Sequence, residues 1–218
     1  MPGAIIVGVG PGIGAAVARR VVREGLAVGL IARREATVDA VLEGLGDADA
    51  IGVTADVTDE DGLRTDLDEI IHRFGIPELV VYNAALVRRD AIGELTARQQ
   101  LNAWAVNVVG AITTVAHVAP AMVTAGGGTI VMTGGMPQPD PEVTSLSLGK
   151  AGARALVELI DRAYRPRGLH VATVTVDGAV AAGGPYDPDD IADQYWRLHQ
   201  QPATQWEREV LIRDNARP

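Results

Sequence analysis

Apolar residues come in short unbroken runs, separated by stretches in which they recur every three or four positions, and the two patterns alternate along most of the chain. Ala4-Ile5-Ile6-Val7 reads as a buried strand, after which Ile13, Val17 and Val21 recur at helical spacing until Gly25. Leu26 to Ala32 is a second apolar run, residues 35 to 46 read as helix, and Ala50 to Thr54 is a third strand. Asp59 to Phe74 has the period of an amphipathic helix stopped by Gly75, and Leu79 to Tyr82 is a fourth strand. Two helices are expected between Thr96 and Thr124, then a strand from Thr129 to Thr133, a helix from Ser145 to Tyr164 and a strand from Leu169 to Val176. A closing helix through Tyr195-Trp196 and a short strand from Val210 to Ile212 complete the pattern. Strands that are apolar on both faces and joined by helices belong in a parallel sheet covered on both sides. The expected fold is therefore α/β, a doubly wound parallel sheet of the Rossmann type. No linker, internal repeat or shift in composition divides residues 1–218, so a single domain is expected, with a short segment from about residue 183 completing the site or a subunit interface.

Composition narrows the function classes. At 47% hydrophobic and 22% charged, the 218 residues can bury a full core. The net charge of −9 would repel a phosphate backbone over most of the surface, so no nucleic-acid partner is expected. The absence of cysteine excludes disulfides, thiolate metal sites and a cysteine nucleophile, and with the lack of a cationic leader segment it points to a cytoplasmic protein. From Gln99 to Pro139 the only ionisable side chain is His117, but Asn102, Asn107, Pro120 and the run Gly126-Gly127-Gly128 fit a membrane span poorly. Buried helices and the interface of a homodimer or homotetramer are expected there instead. His72, His117, His170 and His199 have no metal-ligand spacing, so no metal is expected.

The strongest chemical signal is the turn after the first strand. Gly8, Gly10, Gly12 and Gly14 leave that strand and open the first helix at Ile13. Glycine lets a backbone turn tightly and approach a pyrophosphate, which the free N–H groups and positive end of the helix can then hold. The second strand ends Ile31-Ala32-Arg33-Arg34 with no carboxylate before Glu35, a pattern suited to the 2′-phosphate of NADP rather than the 2′-hydroxyl of NAD, with Arg33 as the contact. Lys150 stands out in another way: of 19 basic residues it is the only lysine, and it falls on the apolar face of its helix. A chain so biased to arginine that keeps one primary amine has a use for an ammonium there.

In the order and spacing of these features the sequence resembles the short-chain dehydrogenase/reductase family. The glycine turn matches the family's cofactor motif, with Val7 where a threonine is usual; Asp56-Val57 resembles the adenine-contacting pair, Asn83-Ala84-Ala85 the Asn-Ala-Gly turn, and Asn107 the active-site asparagine. Lys150 stands where the lysine of Tyr-x-x-x-Lys belongs, which in the family hydrogen-bonds the nicotinamide ribose. The resemblance spans residue 4 to about 180 and implies an NADP-dependent oxidoreductase (NADPH as reductant) acting on a small-molecule substrate.

Two expected groups are not where the family has them. The position four before Lys150 is Leu146 rather than tyrosine, and Gly135 takes the place of the serine after the fifth strand. The resemblance therefore implies a divergent member with a non-standard active site, or a catalytically silent NADP-binding protein acting as sensor or partner subunit. Ser147, three residues before Lys150, and Asp177, at a strand end where a buried carboxyl could be held protonated, are the substitute proton donors to examine, with Thr133, Tyr82 and Arg88 behind them.

Overall fold

The structure, a computed structural model, describes residues 3–214. Seven parallel strands form one sheet in the order β3-β2-β1-β4-β5-β6-β7. They are β1 (Gly3–Val7), β2 (Ala27–Ala32), β3 (Ala50–Thr54), β4 (Leu79–Tyr82), β5 (Gly128–Gly135), β6 (Leu169–Val176) and β7 (Glu209–Ile212). The unbroken burial of β1, β2, β4 and β6 is why these strands carry no polar alternation: helices cover both faces. One face holds α1 (Ile13–Arg23), α2 (Glu35–Glu43) and α7 (Pro188–His199); the other holds α3 (Glu60–Phe74), α5 (Gly110–Thr124) and α6 (Thr144–Tyr164). The expected doubly wound fold and single domain are both present.

Strand order reverses between β1 and β4, and an open α/β sheet leaves a crevice at the carboxyl ends of the strands flanking such a reversal. Three local features shape it. The two helices expected between Thr96 and Thr124 are one helical path, α4 (Ala97–Trp104) running into α5 through a π-helical turn over Ala105–Val109 that carries Asn107. A π-turn widens one helical ring, and such turns are frequent at functional sites. Strand β5 is longer than its apolar core suggests, because Gly134 and Gly135 still pair with Thr175 and Val176. The N-cap position of α6 is Val143, whose side chain cannot cap it; Asp90, 1% exposed, supplies the cap from the loop after β4 by accepting from Ser145 N (2.9 Å) and Ser145 Oγ (2.7 Å).

The segment after residue 183 forms α7 and β7. The helix packs on α1 through Ile191 and Tyr195, with ion pairs Arg19–Asp189 and Arg20–Asp193, while β7 extends the sheet beside β6. The helical run Ala97–Thr124 is apolar enough to pass for a membrane span by length and composition, yet 61% of its most apolar window is buried within the protein.

Candidate active site

A cavity of about 1050 Å³ lies over the crevice, bounded by the glycine turn, the ends of β2, β4, β5 and β6, and the start of α6. That is the upper end of the usual range for ligand pockets, roughly 300 to 1,000 Å³. The four turn glycines divide by role. Gly8 has φ +90, and a Cβ there would run into the backbone of Ala84; a Cβ on Gly14 would come within 2.9 Å of Val9 Cα. These two let β1, α1 and the turn after β4 close on one another. Gly10 and Gly12 face open space instead, with nothing nearer than Val180 Cγ1 at 3.9 Å from a Cβ on Gly12. Helix α1 has no side-chain N-cap and no acid in its first turn. A backbone surface bare of side chains, at an uncapped positive helix end, suits a pyrophosphate.

Arg33, Asp56, Val57, Asn83 and Ala84 all border the same cavity, as do Gly8, Gly10, Gly12 and Ile13. Gly14 lies behind it in the packing of the turn. Asp56 accepts from Thr58 N (2.9 Å) and Thr58 Oγ1 (2.8 Å); the backbone N–H of Thr58 holds its carboxyl below the usual range, and its hydroxyl and the Arg33 charge add to this against a smaller effect of burial. Asn83 spans from strand to turn: its Nδ2 donates to Gly8 O (2.7 Å) and its Oδ1 accepts from Thr133 Oγ1 (2.8 Å).

Lys150 sits at the inner end of the cavity, 9% exposed, and donates to Thr133 O at 2.6 Å. Burial, and then the charge of Arg154 one helical turn on, lower its pKa to about 8. Asn107 is 4% exposed; its Oδ1 accepts from Leu86 N (2.9 Å), while its Nδ2 has no partner among the described residues. A buried amide N–H without a partner costs about 1–3 kcal/mol and fits a site completed by a ligand or a water. Leu146 borders the cavity one turn before Lys150, and a Cβ on Gly135 would lie 3.8 Å from Lys150 Cε.

Of the proposed proton donors, Ser147 is placed differently from expectation and Asp177 where it was expected. Ser147 is turned into the loop before α6, where its Oγ donates to Asp140 O (3.2 Å) and accepts from Asp140 N (3.0 Å); the helix face that brings Lys150 to the cavity carries Ser147 away from it. Asp177 borders the cavity at the end of β6, its side chain 40% exposed and its Oδ2 3.3 Å from Arg213 Nε. Tyr82 is buried with its hydroxyl on Val106 O (2.6 Å), burial pushing its pKa up.

The structure also brings in residues that sequence reasoning passed over. Tyr195 of α7, fully buried in the layer on the other face of the sheet from α6, shares a 2.7 Å hydrogen bond with Thr133 Oγ1. Arg154 NH1 reaches Gly135 O (2.9 Å) and Met136 O (3.1 Å). Spacing of four from Lys150 was the one signal for Arg154; nothing in the sequence ties Tyr195 to Thr133. Among the described residues no group of three or more His, Cys, Asp or Glu could hold a metal ion.

Comparison with known proteins places this geometry. A family model described as short chain dehydrogenase matches residues 3–182. A cis-4-hydroxycyclohexanecarboxylate dehydrogenase from Sinomonas cyclohexanicum is 31% identical over 194 residues, covering 84% of this chain and 77% of that protein. A solved metagenomic short-chain oxidoreductase, in complex with NADP, superposes with a TM-score of 0.88 at 25% identity over 97% of this chain and 96% of the other. A short-chain dehydrogenase from Rhodopseudomonas palustris has the same fold, with a TM-score of 0.88 at 23% identity over 98% of both chains.

Proposed function

The chain belongs to the short-chain dehydrogenase family, whose members are oxidoreductases that bind NAD(P), and from that premise we propose that it uses NADP(H) to reduce a small carbonyl compound, with Lys150 giving up the proton. The observation that carries this is Lys150 itself: a buried ammonium at the inner end of the cavity with one of its three N–H groups on Thr133 O. The remaining two can serve a ribose hydroxyl and a substrate oxygen.

When bound, the reduced nicotinamide supplies a hydride to the carbonyl carbon. The residues of the chain do the rest. Gly10, Gly12 and the start of α1 would hold the pyrophosphate, Asp56 and Val57 would border the adenosine, and Arg33 would meet the 2′-phosphate. The carbonyl oxygen takes its proton from Lys150 Nζ: an N–H bond breaks, an O–H bond forms, and the neutral amine regains a proton from water. With a pKa of about 8 the ammonium is a usable acid near neutral pH, which an ordinary lysine at 10.5 is not.

Elimination supports the same residue. Leu146 and Gly135 carry no acid at the family positions. Tyr82 is committed to Val106 O, Ser147 to Asp140 O, Tyr186 to Asp177 O and Thr133 to Asn83. Tyr195 lies outside the cavity lining, across the sheet from Lys150.

NADP over NAD rests on Arg33 and Arg34 beside the cavity and the lack of a carboxylate at that strand end, and the NADP-bound relative is consistent with it. The experiment is thermal denaturation at equal concentrations of each nucleotide, where binding raises the melting temperature by linkage. NADPH should give the larger rise, Arg33→Ala should erase the difference, and equal rises in the parent protein would remove the preference.

The same proposal makes the protein a homodimer or homotetramer. Leu101, Trp104 and Ile112 on the α4–α5 run and Leu148 and Leu159 on α6 are 43–69% exposed. Apolar side chains grouped in this way mark contact surfaces.

A further inference from the structure

We propose that Arg154 is a positioning residue of this site: its guanidinium holds the Gly135–Met136 turn in place at the wall of the cavity and keeps a fixed positive charge one helical turn from Lys150. The inference rests on the oxidoreductase reading for its purpose, and on geometry for its substance.

Successive peptide groups of an extended strand point to opposite sides, so one side-chain nitrogen does not normally reach two consecutive carbonyls. Arg154 NH1 does so, donating to Gly135 O (2.9 Å) and Met136 O (3.1 Å). The chain makes this possible by turning sharply: Met136 has φ +49, and it is the one non-glycine residue with positive φ among those described. A residue bearing a side chain stays in this region only where its surroundings hold it, and such conformations gather at functional sites. Here the holding group is identified. Both residues border the cavity, and Gly135 lies beside Lys150 Cε, so the clamp sets the wall against which a substrate would rest.

Electrostatics gives Arg154 its second task. Lys150 and Arg154 stand four apart on α6, a spacing at which like charges repel. Arginine cannot release its proton, so the lysine yields. The other charged groups bordering this end of the cavity are Asp140, from the loop after β5, and Asp177, at the end of β6 and paired with Arg213. Among the described residues neither forms an ion pair with Nζ, whose hydrogen-bond partner is the Thr133 carbonyl of β5.

Because Lys150 is the only lysine, its titration can be read without background. Protein grown on lysine labelled with carbon-13 at the ε position gives one lysine correlation in its NMR spectrum, followed against pH in the nucleotide-free state. Arg154→Gln, which keeps one donor but no charge, and Arg154→Met, which keeps neither, should both move the Lys150 midpoint upward, toward the ordinary lysine range, by about half a pH unit or more. Arg154→Met should also lower the melting temperature, and Met136→Gly, which removes the side chain that disfavours the turn, should recover part of that loss in the double variant. A Lys150 midpoint that stays within about 0.2 pH unit of the parent in both variants, or an Arg154→Met loss that Met136→Gly does not reduce, overturns the proposal. If Arg154→Met does not fold, Arg154→Gln and the double variant carry the same two readouts. Since neither uses nucleotide or turnover, failure here is distinct from failure of NADPH binding or of carbonyl reduction.

Discussion

The burial of Lys150 has a thermodynamic consequence that can be measured apart from catalysis. Its pKa falls from 10.5 to about 8 on folding, so the unfolded chain binds the proton more tightly. The penalty for burying the ammonium is present in full below pH 8 and disappears as pH rises toward 10.5, with stability rising through that window. The fall of 10.5 − 8 = 2.5 units corresponds to on the order of 3 kcal/mol. Relative to Lys150→Met, the parent protein should gain stability in denaturant titrations between pH 8 and 10; a constant gap would mean that the ammonium is solvated. The positions beside it are open to change. A Cβ on Gly135 meets nothing nearer than Val176 O at 3.7 Å, and Leu146 already borders the cavity. Gly135→Ser with Leu146→Tyr should therefore fold and raise ketone reduction by roughly the 10²- to 10⁴-fold of a positioned acid. A folded, NADPH-binding double variant with no gain would show that the pocket is not arranged for ketones. At this scale the sequence was legible where a residue type has one use, as with the turn glycines and the single lysine. It was not legible for Ser147, because the direction of a side chain depends on which loop packs against its helix.

Helix α6 is the element on which the site depends, and two of its contacts are sharp enough to test. A Cβ on Gly149 would lie 2.6 Å from Asn107 Cβ, so helix and π-turn meet only because glycine stands there. Gly149→Ala should cost about 1–3 kcal/mol through overpacking despite its better helix propensity, and should weaken nucleotide binding if Asn107 shifts. An unchanged melting temperature would place Asn107 elsewhere. Asp90→Ala removes the cap from another loop and leaves Ser145 N and Oγ without their acceptor, for a loss of about 0.5–2 kcal/mol in chemical denaturation. Strands and most helices were readable from periodicity, because a parallel sheet buried on both faces leaves unbroken apolar runs. The π-turn was not, since one extra residue in a helical ring changes no hydrophobic period strongly enough to see. Nor was the cap on α6, whose donor and acceptor lie 55 residues apart.

On the scale of the whole molecule, the apolar side chains left outside on α4, α5 and α6 predict association. Light scattering at micromolar concentration should return a dimer or tetramer, and Leu159→Glu or Leu101→Glu should shift it toward 22.8 kDa. A parent protein already at 22.8 kDa would leave those faces without a role in assembly. The central claim concerns what the cavity does when the turn, the lysine and the clamped loop act together, and transfer of label tests it most directly. The protein is mixed with NADPH deuterated at either transferable position of the nicotinamide and with a panel of small ketones and aldehydes, and the products are read by mass spectrometry across pH. The expected result is deuterium on the new carbinol carbon from one of the two labelled forms, with a rate that falls above about pH 8 as Lys150 loses its proton. NADPH that binds but passes no deuterium to any acceptor at any pH would contradict it, and would make the protein a nucleotide-binding member of the family without turnover.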